Sequence, residues 1–382
     1  MNSAARAYKS LSNPAEKRRA AIRQRNRMRT WGAVLGAAAL LCGAAAFAAP
    51  YNRVLWTAAP TVEAASTVKW VDFDIPEAAL TRAMEYDLAA HTDPDPLNWV
   101  ELLSYLGAKY GGDFGRYCAS DLDALVARRR AGASMAELTA EMPYYDYYTQ
   151  AYGAVLNGFL GEYSEYTETD GRRAWVTRYG LKAFSPIAGG FYFDHYDDFC
   201  AERTYGYNRK HFGHDLMCGI GTPVIAVESG VVEELGWNQY GGWRVGIRSF
   251  DGKRYYYYAH MRQNRPYHPN TQRGAVVRAG DVIGYVGRTG YSTVENTNNI
   301  TVNHLHFGLE LIFDEAQKDG PNQVWIDLYE LTKFLQRHRS AVVRVAATKE
   351  YYRAVSYSEP AVDAYLRGEL PQPFPVQTGE GS

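Results

Sequence analysis

Four histidines and one aspartate, gathered in three short segments, are the residues of this chain best equipped for chemistry. The segments are His211-Phe212-Gly213-His214-Asp215, Tyr258-Ala259-His260 and His304-Leu305-His306. Imidazole nitrogen and carboxylate oxygen are donors that zinc takes, and a hydrolytic zinc site keeps one position open for water. Two donors from one segment and a third from a distant one, with further histidines close by, fit that plan.

The last segment specifies its own geometry. Val302 to Leu311 alternates, with Leu305, Phe307, Leu309 and Leu311 on one face, which reads as a strand. Side chains two apart on a strand share a face, so His304 and His306 stand side by side, roughly 6.6 Å apart along it. One can bind a metal while the other reaches substrate or water. On a helix the same two residues would diverge. His260 is placed at a strand end. Trp243 to Arg248 and Arg254 to His260 flank Asp251-Gly252, a hairpin signal. On the second of these strands Tyr256, Tyr258 and His260 share a face. His91, His195, His268 and His338 carry no such context and read as ordinary surface or core histidines; His214 reads as structural.

With these pieces in place the chain resembles the lysostaphin-type (LytM-like) zinc endopeptidases. The resemblance rests on Arg209, the His211 to Asp215 motif, Gly221-Thr222-Pro223-Val224, Gly230-Val231-Val232, Tyr258-Ala259-His260-Met261, Ala279 to Gly284, Val286 to Gly290 and His304 to Phe307, in that order. It implies a compact antiparallel β-sheet domain with a groove over one zinc ion, acting on the stem or cross-bridge peptides of bacterial peptidoglycan. Position by position, His211, Asp215 and His306 match the metal ligands, and His260 and His304 match the two catalytic histidines. The chemistry implied is a water acidified by zinc to a pKa of about 7. His304 would take its proton and pass it to the leaving amine. His260 would hydrogen-bond the oxyanion or orient the water. Two features set the chain apart. Such proteins have a short link where Tyr291 to Asn303 forms a longer polar loop, expected at the groove rim. Tyr192 to Asn208, rich in aromatics and acids, is expected to form the opposite wall.

The positioning elements come from the rest of the chain. Its 382 residues allow two domains with extensions, and a formal net charge of −1 argues against a nucleic-acid binder. Residues 1–30 nevertheless carry nine Lys and Arg against Glu16 alone, and the uncharged run 31–49 follows. As a helix that run spans about 28 Å, close to a bilayer's hydrocarbon core. It reads first as a single-pass signal anchor with the basic arm on the cytoplasmic side and the peptidase facing the cell wall. A cleaved signal peptide is the alternative, because Ala46-Phe47-Ala48 has the small-x-small form of a cleavage site, and the product would then be secreted. A lipidated Cys42 is the least favoured reading.

The expected architecture is α+β and multidomain. A linker occupies 50–67 and a small helical domain with its own core 68–167. The β-sheet peptidase domain spans 174–314, a helical extension 322–357 and a disordered tail 358–382. Within the helical part, Asp74-Ile75-Pro76-Glu77 and Asn98 mark helix starts, and runs of helical character cover Trp99 to Tyr110, Asp121 to Arg130, Ser134 to Glu141 and Tyr144 to Leu160. Cys118, Cys200 and Cys218 lie beyond the apolar run. An odd number is no disulfide framework, and a Cys200–Cys218 pair stands open beside free thiols. The alternative to an enzyme is a silent relative that binds peptidoglycan or another wall protein. Such relatives lack one or more of the five residues, and this chain lacks none.

Overall fold

The computed structural model describes Val71 and residues 73–375, apart from residues 170, 319 and 321. The basic arm, the proposed anchor at 31–49 and the linker lie outside the described residues. Among those described, no helix is long and apolar enough to cross a membrane.

Five helices come first: α1 (Glu77–Ala90), α2 (Trp99–Tyr110), α3 (Ala119–Arg130), α4 (Met135–Thr139) and α5 (Tyr145–Leu156). Their ends follow local chemistry. Asn98 caps α2 by accepting from the backbone N–H of Val100 and Glu101 at 2.9 and 3.2 Å, and Gly111 closes it in the left-handed conformation at φ 62°. Ser134 and Glu137 form a reciprocal capping box on α4. Pro76 leaves the start of α1 without a side-chain cap of its own. Glu330, from far along the chain, supplies it by accepting from the Glu77 N–H at 3.0 Å.

The expected helix through Leu160 stops four residues early. Strand β1 (Leu160–Thr169) pairs with β2 (Arg172–Leu181) over ten residue pairs. Asp170-Gly171 is a hairpin dipeptide, with Gly171 at φ 73°, so the turn chemistry outweighs the helical run that precedes it.

Then follow β3 (Phe193–Tyr196), β4 (Glu202–Arg203), β5 (Arg209–Lys210), β6 (His214–Cys218), β7 (Pro223–Ile225), β8 (Gly230–Asn238), β9 (Gly242–Ser249), β10 (Arg254–Ala259), β11 (Val276–Val277), β12 (Val282–Tyr285), β13 (His304–Leu311) and β14 (Val324–Trp325). The main sheet is antiparallel in the order β11-β8-β9-β10-β13-β6-β3, with β14 also pairing β13. Strand β13 holds its register through Leu305, Phe307, Leu309 and Leu311, each at most 1% exposed. A one-residue slip would turn this apolar row off the core, at a cost of roughly 1.5–3 kcal/mol per side chain. The opposite phase presents His304 and His306.

Two expectations about the surroundings are corrected. The helices do not have a separate core. Their buried residues and those of the sheet form one continuous cluster, and the contact is sealed by a buried charge. Arg254 of β10 is bound by Glu228 at 2.7 and 3.0 Å and donates to the Ala154 carbonyl of α5 at 2.9 Å. Nor is the C-terminal part a helical extension with a disordered tail. A short helix α6 (Tyr329–Leu335) is followed by β15 (Val342–Arg344), β16 (Tyr351–Arg353), β17 (Ser356–Ser358) and α7 (Pro360–Leu366). Strand β17 pairs β1, and buried Tyr357 stacks on Tyr163 with ring centroids 5.5 Å apart. Apolar anchors such as Tyr357 and Val362, 5% and 0% exposed, hold a segment whose Pro, Gly and acid content alone reads as unstructured.

Candidate metal centre and groove

The sheet brings the three chemical segments together. His211 directly follows β5, Asp215 lies on β6, and β13 pairs with β6 so that His306 stands opposite Asp215 and His304 opposite Met217. His260 follows the end of β10 at φ 59°, a left-handed conformation rare for a residue with a Cβ. Its Nδ1–H donates to the Thr289 carbonyl at 2.9 Å, and the backbone N–H of Gly287 returns to the His260 carbonyl at 3.0 Å.

Three donor atoms converge. His211 Nε2 is 3.0 Å from Asp215 Oδ1 and 2.8 Å from His306 Nδ1, and His306 Nδ1 is 3.1 Å from Asp215 Oδ1. The far nitrogen of the His211 ring faces Asp198: Nδ1 donates to the Asp198 carbonyl at 3.3 Å and lies 3.1 Å from its carboxylate Oδ1. In the neutral ring these contacts favour the proton on Nδ1 and direct Nε2 toward Asp215 and His306, as backbone carbonyls and carboxylates do for a metal-bound imidazole. Two imidazole nitrogens and a carboxylate oxygen at such separations are three acceptors competing for the same space. Only protons or a cation can satisfy them, and this donor set suits zinc.

The electrostatics agree. Burial opposes a charged imidazolium at His211, but the Asp198 and Asp215 carboxylates outweigh it and push its pKa up to about 9. Burial likewise opposes the charge on Asp215, yet contact with His211 and His306 holds it well below the usual carboxylate range. The segment is thus poised to hold positive charge. His260 is the contrary case. Burial first, and then the neighbouring His304 and His306, press its pKa well below the ordinary imidazole value. His306 is also lowered, chiefly by burial.

His304 sits beside the convergence point, its Nε2 3.7 Å from Asp215 Oδ1 and its ring 4.8 Å from that of His260. Its Nδ1 lies 2.8 Å from the Val302 carbonyl. A carbonyl oxygen only accepts, so both His304 and His260 carry their proton on Nδ1 when neutral. Each then keeps its Nε2 lone pair available.

All five residues line one groove of about 680 Å³. The two segments expected there contribute to its walls, Tyr196 and Arg203 from one and Tyr291, Thr301 and Val302 from the long loop; Arg209, Tyr240 and Tyr257 line it as well. The walls meet where Tyr205 stacks on Tyr291 at 4.8 Å, with the Arg209 guanidinium 4.8 Å over Tyr240 and 5.2 Å over Tyr291. The Trp243 indole N–H pins the loop by donating to Asn296 at 2.9 Å.

Two participants escaped the sequence reading. Asp198 and Arg203, the latter contacting both Asp198 and Asp215, lie in the acidic segment before His211. Asp194, Asp197, Asp198 and Glu202 all stand there, and no local pattern selects among them. The histidines read as ordinary lie elsewhere. His195 contacts His214 at 3.1 Å and Gln336 at 2.9 Å, His338 donates to the Ala183 carbonyl at 2.7 Å, His91 stacks on Tyr179, and His268 packs against Tyr352. The three described cysteines are free thiols, so Cys200 and Cys218 do not pair.

Comparison with known proteins bears on the same region. Residues 209–319 match the sequence profile of Peptidase family M23, and the chain carries a domain of that kind. An L-Ala--D-Glu endopeptidase of Bacillus subtilis is 38% identical over 107 residues, 28% of this chain and 31% of that protein. Lysostaphin of Staphylococcus staphylolyticus is 40% identical over 98 residues, 25% of this chain and 18% of that protein. The chain therefore spans less than a third of the length of these curated relatives. Among solved structures, the catalytic domain of lysostaphin from Staphylococcus simulans aligns at 32% identity, covering 34% of this chain and 77% of that one, with a TM-score of 0.23.

Proposed function

We propose that this chain is a zinc endopeptidase that hydrolyses peptide bonds in bacterial peptidoglycan. The observation that carries the reading is the convergence of His211, Asp215 and His306 on one point, with two further histidines, His260 and His304, in the same groove. The name L-Ala--D-Glu endopeptidase, carried by the Bacillus subtilis relative, supports cleavage of a peptide bond.

His211, Asp215 and His306 would hold the ion, with Asp198 orienting His211. When bound, zinc supplies a Lewis acid that polarises a peptide carbonyl and acidifies water. The remaining chemistry belongs to the chain. His304, whose Nδ1 faces the Val302 carbonyl and leaves Nε2 toward the groove, takes a proton from water and returns it to the leaving amine. For His260 the tautomer favours one of the two roles open to it. With Nδ1–H engaged by Thr289 and its pKa held low, Nε2 can accept a hydrogen bond but has none to donate. It orients the attacking water rather than stabilising an oxyanion.

A signal anchor at residues 31–49, with the basic arm inside, would place this site on the wall side, where its substrate is. The deciding experiment is mass spectrometry of purified peptidoglycan after incubation with the zinc-loaded full chain. New amino termini within the peptide part, absent with His306→Ala, are expected. An unchanged muropeptide profile would leave the silent-scaffold reading in its place.

A further inference from the structure

A second concavity, of about 240 Å³, is built from three segments that the groove does not use. Gly221 of the β6–β7 turn forms one side. Arg262 and Arg265, just beyond His260, form another. The β15–β16 hairpin contributes Arg344, Lys349 and Tyr351, and Tyr285 of β12 lies between them. Four cations line this pocket and no carboxylate does.

The nearest acid is already committed. Glu350 is 1% exposed and accepts from both Arg265 and the Tyr285 hydroxyl. Four cations against this one carboxylate leave a net charge of +3. Among the described residues, Arg262, Arg344 and Lys349 have no carboxylate within ion-pairing distance; Arg344 only overlies the Tyr351 ring at 6.0 Å. Like charges gathered without a counter-charge repel one another, so the arrangement is favourable only with an anion among them.

The backbone that carries these cations is fixed in place. The Arg262 N–H donates to the Tyr285 carbonyl at 2.8 Å. Gly284 lets the 262–266 loop lie directly on β12, where a Cβ would come within 2.3 Å of the Pro266 carbonyl oxygen. Arg265 donates to the Thr348 carbonyl at 2.8 Å, which ties the loop to the hairpin. Lys349 adopts φ 63°, a backbone state that non-glycine residues rarely take, and its N–H is fixed by the Val345 carbonyl at 2.8 Å.

We propose that this pocket binds a phosphate group. A carboxylate brings one charge and two coplanar oxygens. Phosphate brings up to two charges and oxygens in tetrahedral directions, which suits cations approaching from three separate segments. Arginine forks and a lysine are the side chains that recognise such oxygens. Free phosphate and the phosphodiester of a surface polymer share this chemistry. The proposal does not depend on the peptidase reading, because the pocket contains none of the five groove residues.

The test is isothermal titration of the full chain with inorganic phosphate in one arm and a soluble glycerol-phosphate diester oligomer in the other. Binding is expected in at least one arm, weakening as salt is raised. Tighter binding of the oligomer identifies the polymer as the source; tighter binding of inorganic phosphate identifies the free ion. The double variant Arg262→Ala/Arg344→Ala should weaken binding by about 10-fold or more. Lys349→Asn, which tolerates the positive φ, should weaken it as well. His211→Ala, which alters the metal centre, should leave it unchanged. No binding in either arm, binding as tight as wild type in both the double and the Lys349 variants, or loss with His211→Ala alone would overturn the assignment.

Discussion

His211 Nε2 lies 2.8 Å from His306 Nδ1 although 95 residues separate them in the chain. Both approach Asp215 Oδ1, and the antiparallel pairing of β6 with β13 maintains the arrangement by setting His306 opposite Asp215. Removing any one of the three donors leaves the other two too few for a structured site.

The first prediction follows from that. The purified chain holds a single zinc, and His211→Ala or Asp215→Ala loses it, because binding depends on the complete ligand set. Metal analysis after gel filtration reads the result. Asp198→Asn is expected to be graded, lowering affinity by roughly 10–100-fold through misorientation of His211. Full zinc in both ligand variants would remove the basis of the metal assignment.

The two histidines of β13 are expected to separate. His304→Ala keeps the metal and loses about 10²–10⁴-fold in turnover, the range of a general acid–base group. His306→Ala loses both metal and turnover. Zinc content measured beside peptide hydrolysis distinguishes them, and the reverse pattern would exchange their roles.

Gly213 is predicted to tolerate no side chain. A Cβ there would lie 2.5 Å from His306 Cε1 and 2.9 Å from the Phe307 carbonyl oxygen. Gly213→Ala must displace the His306 ring, so it should weaken zinc retention in a chelator competition while costing about 1–3 kcal/mol of stability through overpacking. Wild-type retention would show that the β6–β13 seam is more compliant than the close approach suggests.

Thiol chemistry provides a check on the fold away from the groove. Burial pushes the Cys218 thiol up to about 12, whereas Cys118 is exposed and its thiol is lowered by hydrogen bonding to Ser120. At about pH 8 the thiolate, the reactive form, is scarce at Cys218 and more abundant at Cys118. Titration with a chromogenic disulfide should modify Cys118 rapidly and Cys218 only after denaturation. Fast native-state labelling of Cys218, read by peptide mapping, would contradict its burial between β3 and β13.

What local sequence determines here is what short-range physics controls. The alternation from Val302 to Leu311 is enough to put His304 and His306 on one face, because the side-chain period of a strand is two. Asn98, Ser134 and Gly111 punctuate helices through hydrogen bonds within a few residues. The groove over a metal is implied by the resemblance of the ordered motifs from His211 to Phe307 to the lysostaphin-type zinc endopeptidases.

Contacts between distant segments were decided only by tertiary structure. Asp198 is the partner of His211 because the connection between β3 and β4 brings it against that ring, and nothing local separates it from Asp194 or Asp197. The helical part lost its expected independence because Arg254 reaches across to the Ala154 carbonyl and the apolar faces merge into one core. The segment after residue 340, read as a helix and a loose tail, became a hairpin, a strand on β1 and a further helix. Its order comes from burying Tyr357 and Val362 and from the tie between Arg265 and Glu350. Those energies depend on which surfaces the rest of the chain presents, and a linear pattern does not contain them.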